Sequence, residues 1–122
     1  MLLLHAALLW PAMEPEIAFL MGNLAEVGPH SRVLDPYAGC SSLLLAAGFL
    51  QEMEPPSHHT QKMEKSNGCL VGVDASMGED TEPIRSNFAA VGLSSRLASL
   101  DLRWDIAERL VKVRKCVVVC TV

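Results

Sequence analysis

Apolar positions in the first half of the chain follow a helical period in two places. Over residues 16–25 they are three, one and three residues apart, which predicts one apolar stripe on a helix. The residues of this stripe are Ile17, Leu20, Met21 and Leu24. Pro15 suits the first turn of that helix, where its missing N–H is not needed. Further along, the run Leu43–Ala47 predicts a buried helix over Ser42–Leu50.

Four other segments are short apolar runs with the length of a buried strand. The predicted strands are Arg32–Leu34, Gly68–Val73, Arg96–Leu100 and Cys116–Val122. An aspartate follows each of the first three, namely Asp35, Asp74 and Asp101. The last run contains no charged residue, a pattern typical of a strand that is covered on both faces.

Two more helices are predicted between these strands. In Thr81–Val91, Thr81 suits the N-cap, Pro83 falls in the first turn, and Gly92 stands where a left-handed C-cap belongs. Trp104–Lys112 is amphipathic. Helices and strands therefore alternate along the whole chain. Strict alternation predicts an α/β fold, with a parallel sheet of about four strands and helices on both faces.

Two segments do not fit this alternation. Gln51–Asn67 is polar and contains the Pro55–Pro56 pair, so we interpret it as a surface insertion without a fixed fold. Met1–Ala12 is apolar but has no cationic residue before its leucines, which favours a lead-in strand, with a secretion signal as the alternative. The prediction is a single domain over 1–122, in which 13–50 and 68–122 flank the insertion.

Composition narrows the class of function. The 122 residues include 10 Lys+Arg and 14 Asp+Glu, so the net charge is 10 − 14 = −4. This acidic balance disfavours nucleic-acid binding by the chain alone. No apolar stretch reaches the roughly 18 residues that cross a bilayer, so no membrane association is expected.

The four cysteines are expected to be free thiols. Cys69, Cys116 and Cys120 adjoin runs of valine and leucine, and no Cys-x-x-Cys pair occurs. Such cysteines are typical of small buried apolar residues in a reducing compartment, which favours a cytoplasmic location. The adjacent pair His58–His59 lies in the polar insertion and is interpreted as solvated, so no metal site is predicted.

The three strand-ending aspartates are the candidate chemistry. Ligands of open α/β sheets bind outside the carboxyl ends of the strands, so Asp35, Asp74 and Asp101 are expected to line one crevice. After the first, Pro36–Gly39 leads into a helix whose backbone N–H groups can approach a ligand carboxylate or phosphate. Neither Gly-x-Gly-x-x-Gly nor a P-loop is present, which disfavours dinucleotides and nucleoside triphosphates.

These residues resemble a known family. Val33–Leu45 (VLDPYAGCSSLLL) resembles the first motif of the S-adenosylmethionine-dependent RNA methyltransferases that modify the exocyclic amine of guanine in tRNA and in large-subunit rRNA. The pattern of that family is Leu-Asp-Pro-Phe-Cys-Gly-Thr-Gly-Ser. Met13–Ala25 is similar to the helix before that motif, Val71–Ala75 to the second motif, and Ile84–Leu93 to the helix after it.

The resemblance implies a partial Rossmann-like methyltransferase fold with S-adenosylmethionine as cofactor. Asp35 to Gly39 would border its methionine part, Asp74 would accept hydrogen bonds from its ribose, and Asp101 would lie near its adenine amine. The implied cofactor-binding residues are Asp35, Pro36, Tyr37, Ala38, Gly39, Asp74, Ala75 and Asp101.

The chain departs from the family pattern at two points. Ser41 stands where the pattern has its second glycine, which predicts weakened cofactor binding. The catalytic Asp/Asn-Pro-Pro-Tyr/Phe expected after the fourth strand has no counterpart, so no catalytic residue is predicted.

The leading hypothesis is therefore the S-adenosylmethionine-binding portion of an RNA guanine-N2 methyltransferase, inactive by itself. RNA is the partner of the full-length relatives and is not expected for this chain alone. The first alternative is a non-catalytic interaction module that pairs with a protein partner through the exposed strand Cys116–Val122. The second is an amino-methyltransferase acting on DNA or protein.

Overall fold

The structure is a computed structural model that describes residues 13–53, 68–74, 80–103 and 117–118. These residues form a mixed α/β fold, as predicted. The helices are α1 (Pro15–Leu24), α2 (Ser42–Glu52) and α3 (Glu82–Ala90), and a 3₁₀ helix spans Ser94–Ser99. The strands are β1 (Arg32–Asp35), β2 (Cys69–Val73), β3 (Leu100–Arg103) and β4 (Val117–Val118).

The strands form one parallel sheet in the spatial order β3-β2-β1-β4. The chain builds outward from β1 through β2 to β3, and β4 lies on the other side of β1. The direction of strand order therefore reverses between β1 and β4. Across the first three strands Val33 pairs with Leu70, and Leu70 with Leu100, so that apolar residues align on one face.

α2 covers that face of the sheet. Val33, Leu70 and Leu100 belong to the same buried core as the leucines of α2. Gly72 makes close packing possible, because a β-carbon there would lie 2.8 Å from Leu44 Cδ1. α2 can therefore sit directly on the strands that lead to the carboxyl edge of the sheet.

α3 packs on the same face as α2. Phe88 and Leu93 both approach Gly48 of α2, next to Leu70 of the sheet. Gly92 follows α3 with φ of +82°, which confirms the predicted left-handed residue. The helix predicted over Trp104–Lys112 lies outside the described residues, so the expectation of helices on both faces is met here for one face.

α1 packs against α2 through small residues. Ala18 and Gly22 are buried, and a β-carbon on Gly22 would lie 2.6 Å from Leu50 Cδ1. Small side chains allow the two helix backbones to approach closely. The larger apolar residues of the predicted stripe point away from α2, except Met21, which packs partly against the core. The exposed members are Ile17, Leu20 and Leu24.

Two predicted boundaries are wrong. β3 does not cover Arg96–Leu100, because Ser94–Ser99 is a 3₁₀ helix and the strand begins at Leu100. The insertion does not begin at Gln51, because α2 continues to Glu52 and buries Gln51. Residues 54–67 of the insertion lie outside the described part of the chain, as does most of the predicted fourth strand.

Candidate functional site

The loop that follows β1 is organised around a buried carboxylate. Asp35 is the last residue of β1, and only 1% of it is exposed. Its Oδ1 accepts a hydrogen bond from the Tyr37 N–H at 3.0 Å. An aspartate that accepts from the N–H two residues later closes a tight turn. Pro36 stands inside this turn, and Tyr37 is directed to solvent with 64% of its surface exposed.

The same loop is docked on the end of β2. The Ala38 N–H donates to the Val73 carbonyl at 2.9 Å. The Gly39 N–H donates to Asp74 Oδ2 at 2.8 Å. These two bonds bring the loop into contact with the half-buried Asp74 carboxylate, 35 residues away in sequence. Asp35 to Gly39 and Asp74 are therefore brought together, as predicted.

Two residues of this loop have left-handed backbone. Gly39 has φ of +53°, and apart from its chain neighbours no atom of the described residues lies within 4 Å of the position that a β-carbon would occupy there. Ser41 has φ of +67°, a conformation that costs a residue with a side chain about 1–2 kcal/mol. The Ser41 side chain is completely buried, and its Oγ has no hydrogen-bond partner within the described part of the chain.

The backbone N–H groups of the loop form hydrogen bonds within the protein. Those of Tyr37, Ala38 and Gly39 donate to the protein's own oxygens, whereas the predicted ligand contact concerns the N–H groups of the helix that follows. α2 begins at Ser42, so the N–H groups of its first turn are those that a helix leaves without an intrahelical acceptor. An anionic group of a ligand would be bound at that turn rather than by the loop itself.

Asp101 does not lie at the carboxyl edge. It is the second residue of β3 and pairs with Val71, whereas Asp74 follows the β2 residue that pairs with Arg103. Asp101 is therefore level with Val71, three residues before Asp74, which corresponds to about 10 Å along the strand direction. The Asp101 Oδ1 also accepts a hydrogen bond from Arg103 Nε at 2.6 Å, in a half-exposed ion pair. The prediction that Asp101 ends its strand is therefore wrong.

The prediction missed Arg103, which is the last residue of β3 and lies beside Asp74. The Arg103 carbonyl accepts from the Asp74 N–H at 2.9 Å, so it helps to hold the tip of β2. A signal for this was present in the sequence, because Leu100-Asp101-Leu102-Arg103 alternates apolar and polar residues, as a strand does. Ala75, the remaining predicted residue, lies outside the described residues.

Two of the four cysteines lie in the part of the chain that the structure describes. Cys40 is buried and Cys69 is half-buried, and both are free thiols. Cys116, Cys120 and the pair His58–His59 lie outside the described residues. In the part of the chain that the structure describes, no group of three histidine, cysteine or acidic side chains is arranged to hold a metal ion.

A search against protein-family models and a search of curated proteins both gave no match for this chain. Among residues 13–53, 68–74, 80–103 and 117–118, no helix combines the length and apolar character needed to cross a membrane.

Proposed function

We propose that this chain is the S-adenosylmethionine-binding portion of an RNA guanine-N2 methyltransferase, with a partial Rossmann-like fold. One observation carries the proposal: the hydrogen bond from the Gly39 N–H to Asp74 Oδ2. It joins the two motifs on which the family resemblance depends, at the edge of the sheet where such folds bind their ligands.

The strand order supports a nucleoside-type ligand. In doubly wound sheets the ligand binds outside the carboxyl ends of the strands, where the strand order reverses. Here the order β3-β2-β1-β4 reverses between β1 and β4. The loop from Pro36 to Ser41 begins at the carboxyl end of β1, next to this reversal. The crevice therefore has the loop on one side and Asp74 beside it.

The residues present fit S-adenosylmethionine. The open side of Gly39 allows a ligand to approach the backbone closely. The Asp74 carboxylate is held in place by Gly39 and can accept hydrogen bonds from ribose hydroxyls. Asp35 is buried and shapes the loop from beneath, so it acts as a positioning residue. Tyr37 and Ala38 complete the loop that would border the methionine part.

When bound, S-adenosylmethionine supplies a methyl group on a positively charged sulfur for transfer to an amine. The described residues would bind and orient this group, and positioning supplies most of the rate in such transfers. We assign no catalytic residue, because the Asp/Asn-Pro-Pro-Tyr/Phe sequence does not occur in the 122 residues. RNA is the proposed substrate of the complete enzyme, and the free thiols Cys40 and Cys69 support a reducing, cytoplasmic location.

Calorimetric titration of the full chain with S-adenosylmethionine tests the proposal. We expect measurable binding that falls roughly tenfold to hundredfold in Asp74→Asn, because a hydrogen bond to a charged group contributes about 1.5–3 kcal/mol and 1.4 kcal/mol is tenfold in affinity. Asn keeps an acceptor for the Gly39 N–H, so the loop should stay in place. Far-UV circular dichroism checks that the Asp74→Asn variant is folded.

Asp101→Asn is the matched control. It removes the same charge from a strand aspartate that lies below the carboxyl edge and pairs with Arg103. We expect the affinity of this variant to be unchanged. Equal losses in both variants would contradict the proposed site. No binding to the parent chain would contradict the cofactor itself and would leave the interaction module that pairs through Cys116–Val122 as the better hypothesis.

A further inference from the structure

The outer side of α1 carries an apolar stripe that the rest of the described structure does not cover. Ile17 is 48% exposed, Leu20 is 53% exposed and Leu24 is 76% exposed. These residues are three and four positions apart, so they form one line along the helix. The other side of α1 is also apolar, since Ala18 and Gly22 are buried against α2. A helix that is apolar on both sides is normally covered on both sides.

This stripe is unrelated to the crevice proposed above. α1 packs on α2 where Gly22 approaches Leu50, near the end of α2, whereas the proposed crevice lies at the start of α2 near Ser42. Single exposed apolar residues are common and need no explanation, but a continuous apolar line on a surface indicates an interaction. The question is therefore which part of which molecule covers it.

We propose that the twelve residues that precede α1, Met1–Ala12, fold back and pack on this stripe. Ten of the twelve are apolar and none is charged. Only Met13 and Glu14 separate them from Pro15 at the start of α1. Pro11 and Pro15 flank this connection, and proline favours a change of chain direction.

The length of residues 1–12 is sufficient to cover the stripe. From Ile17 to Leu24 the helix rises by about 10 Å. Twelve residues span about 18 Å as a helix and up to about 40 Å when extended. Residues 1–12 are therefore long enough to return along the whole stripe. A short tether also gives the segment a local concentration of about millimolar, which favours it over a separate partner.

Charge disfavours a lipid surface as the occupant. The residues around the stripe include the exposed acids Glu14, Glu16 and Glu26. The first cationic residue of the chain is Arg32. Membrane surfaces carry negative charge and attract basic segments, so this acidic surround would be repelled.

Trp10 provides a probe inside the proposed segment. In the full chain carrying Trp104→Phe, Trp10 is the single tryptophan, since the sequence has two. We expect blue-shifted emission and weak quenching by acrylamide, both independent of protein concentration. In the double variant Leu20→Lys with Leu24→Lys, we expect the emission to shift to the red and the quenching constant to rise several-fold.

Ala90→Lys is the control, since Ala90 is exposed on α3 and not on α1. It should leave the Trp10 signal unchanged. Red-shifted, fully quenchable Trp10 emission in the Trp104→Phe chain would overturn the proposal without any stripe variant. A blue shift that appears only at high protein concentration would assign the stripe to a second copy, and one that requires added phosphatidylserine vesicles would assign it to lipid. Either result would refute packing by residues 1–12.

Discussion

The two edges of the sheet satisfy their polar groups in opposite ways. At the amino edge, defined by Ser31, Gly68 and Ser99 just before the strands, long buried side chains bind backbone carbonyls. At the carboxyl edge, backbone N–H groups donate to the short acidic side chains of Asp35 and Asp74. Asp74 is only half-buried there, and Tyr37 is exposed to solvent. The first arrangement closes the fold, whereas the second leaves room for a ligand.

Arg96 is the centre of the amino edge. Only 3% of it is exposed, yet its Nη2 donates to the Gly68 carbonyl and to Ser99 Oγ, both at 2.7 Å. Its Nη1 pairs with Glu52 Oε1 at 3.3 Å. One guanidinium therefore joins the end of α2, the entry to β2 and the entry to β3. Arginine suits this role because its donors are fixed in a planar fork.

Gln51 extends the same network toward β1. Its Nε2 donates to the Ser31 carbonyl at 2.9 Å, and only 1% of the residue is exposed. Backbone bonds from Gly68 to Pro29 and from Cys69 to Ser31, both 3.1 Å, complete the closure. The amino edge is thus locked by contacts between distant parts of the chain. We expect substitutions there to lower stability, and those at the carboxyl edge to alter ligand binding.

The largest effect is expected for Arg96→Met. The Gly68 carbonyl and the Ser99 hydroxyl lose their donor, and a buried polar group without its partner costs about 1–3 kcal/mol. The free energy of unfolding should fall by about 3 kcal/mol, measured from the midpoint of a urea transition with unchanged slope. Arg103→Met is the control, because its ion pair is half-exposed and contributes less than about 1 kcal/mol. Equal losses would show that the amino edge has no special role.

The second prediction compares two glycines, in order to distinguish a loss of stability caused by backbone strain from a loss of ligand affinity. Gly39 and Gly92 both have positive φ, and among the described residues nothing beyond their chain neighbours contacts the place where a β-carbon would be. Gly39→Ala and Gly92→Ala should each lower the free energy of unfolding by about 0.5–1 kcal/mol, because about 1–2 kcal/mol of left-handed strain is partly offset by the lower entropy of the unfolded chain. Gly39→Ala alone should weaken S-adenosylmethionine binding, by roughly tenfold, because its new methyl group enters the crevice. Calorimetry on both variants checks this, and similar affinities in the two would argue against the crevice.

The smallest effect is a gain. Ser41→Gly removes about 1–2 kcal/mol of left-handed strain but adds about 0.4–1 kcal/mol of unfolded-state entropy, so stability should rise by about 0.5 kcal/mol. Glu26, with φ of +55°, is the matched control outside the site. Glu26→Gly should give a similar gain in a urea titration. Cofactor affinity should rise several-fold for Ser41→Gly and stay constant for Glu26→Gly, and a rise in both or in neither would contradict a role for Ser41.

Local patterns were enough to predict most of the fold. The buried run Leu43–Ala47 and the apolar run before Asp74 marked α2 and β2, because burial on a sheet requires continuous apolar sequence. The turn Asp35–Gly39 was recognisable from Pro36 and Gly39. Its contact with Asp74 followed from parallel strands sharing one edge.

Long-range contacts explain what the patterns missed. Near the start of β3, the Arg85 guanidinium donates to the carbonyls of Leu97 and Leu100 at 3.4 and 3.3 Å, and the spacing of residues in the sequence does not reveal these contacts. For α1, the pattern showed that apolar residues share a stripe. It could not show that Ala18 and Gly22 would form the packed side, because close approach of two helices depends on the partner helix as well.

The closure at Arg96 has a consequence for how this chain can be lengthened. Its guanidinium holds Glu52 and Gly68 at the edge of the sheet remote from Asp74, and these two residues flank residues 53–67 in the sequence. When the chain between two fixed residues is doubled in length, the cost in closure entropy rises by only about 0.6 kcal/mol. We therefore expect an epitope tag or a small domain inserted between Glu52 and Gly68 to lower the free energy of unfolding only slightly. Such an insertion should leave the proposed ligand site at Asp74 unchanged.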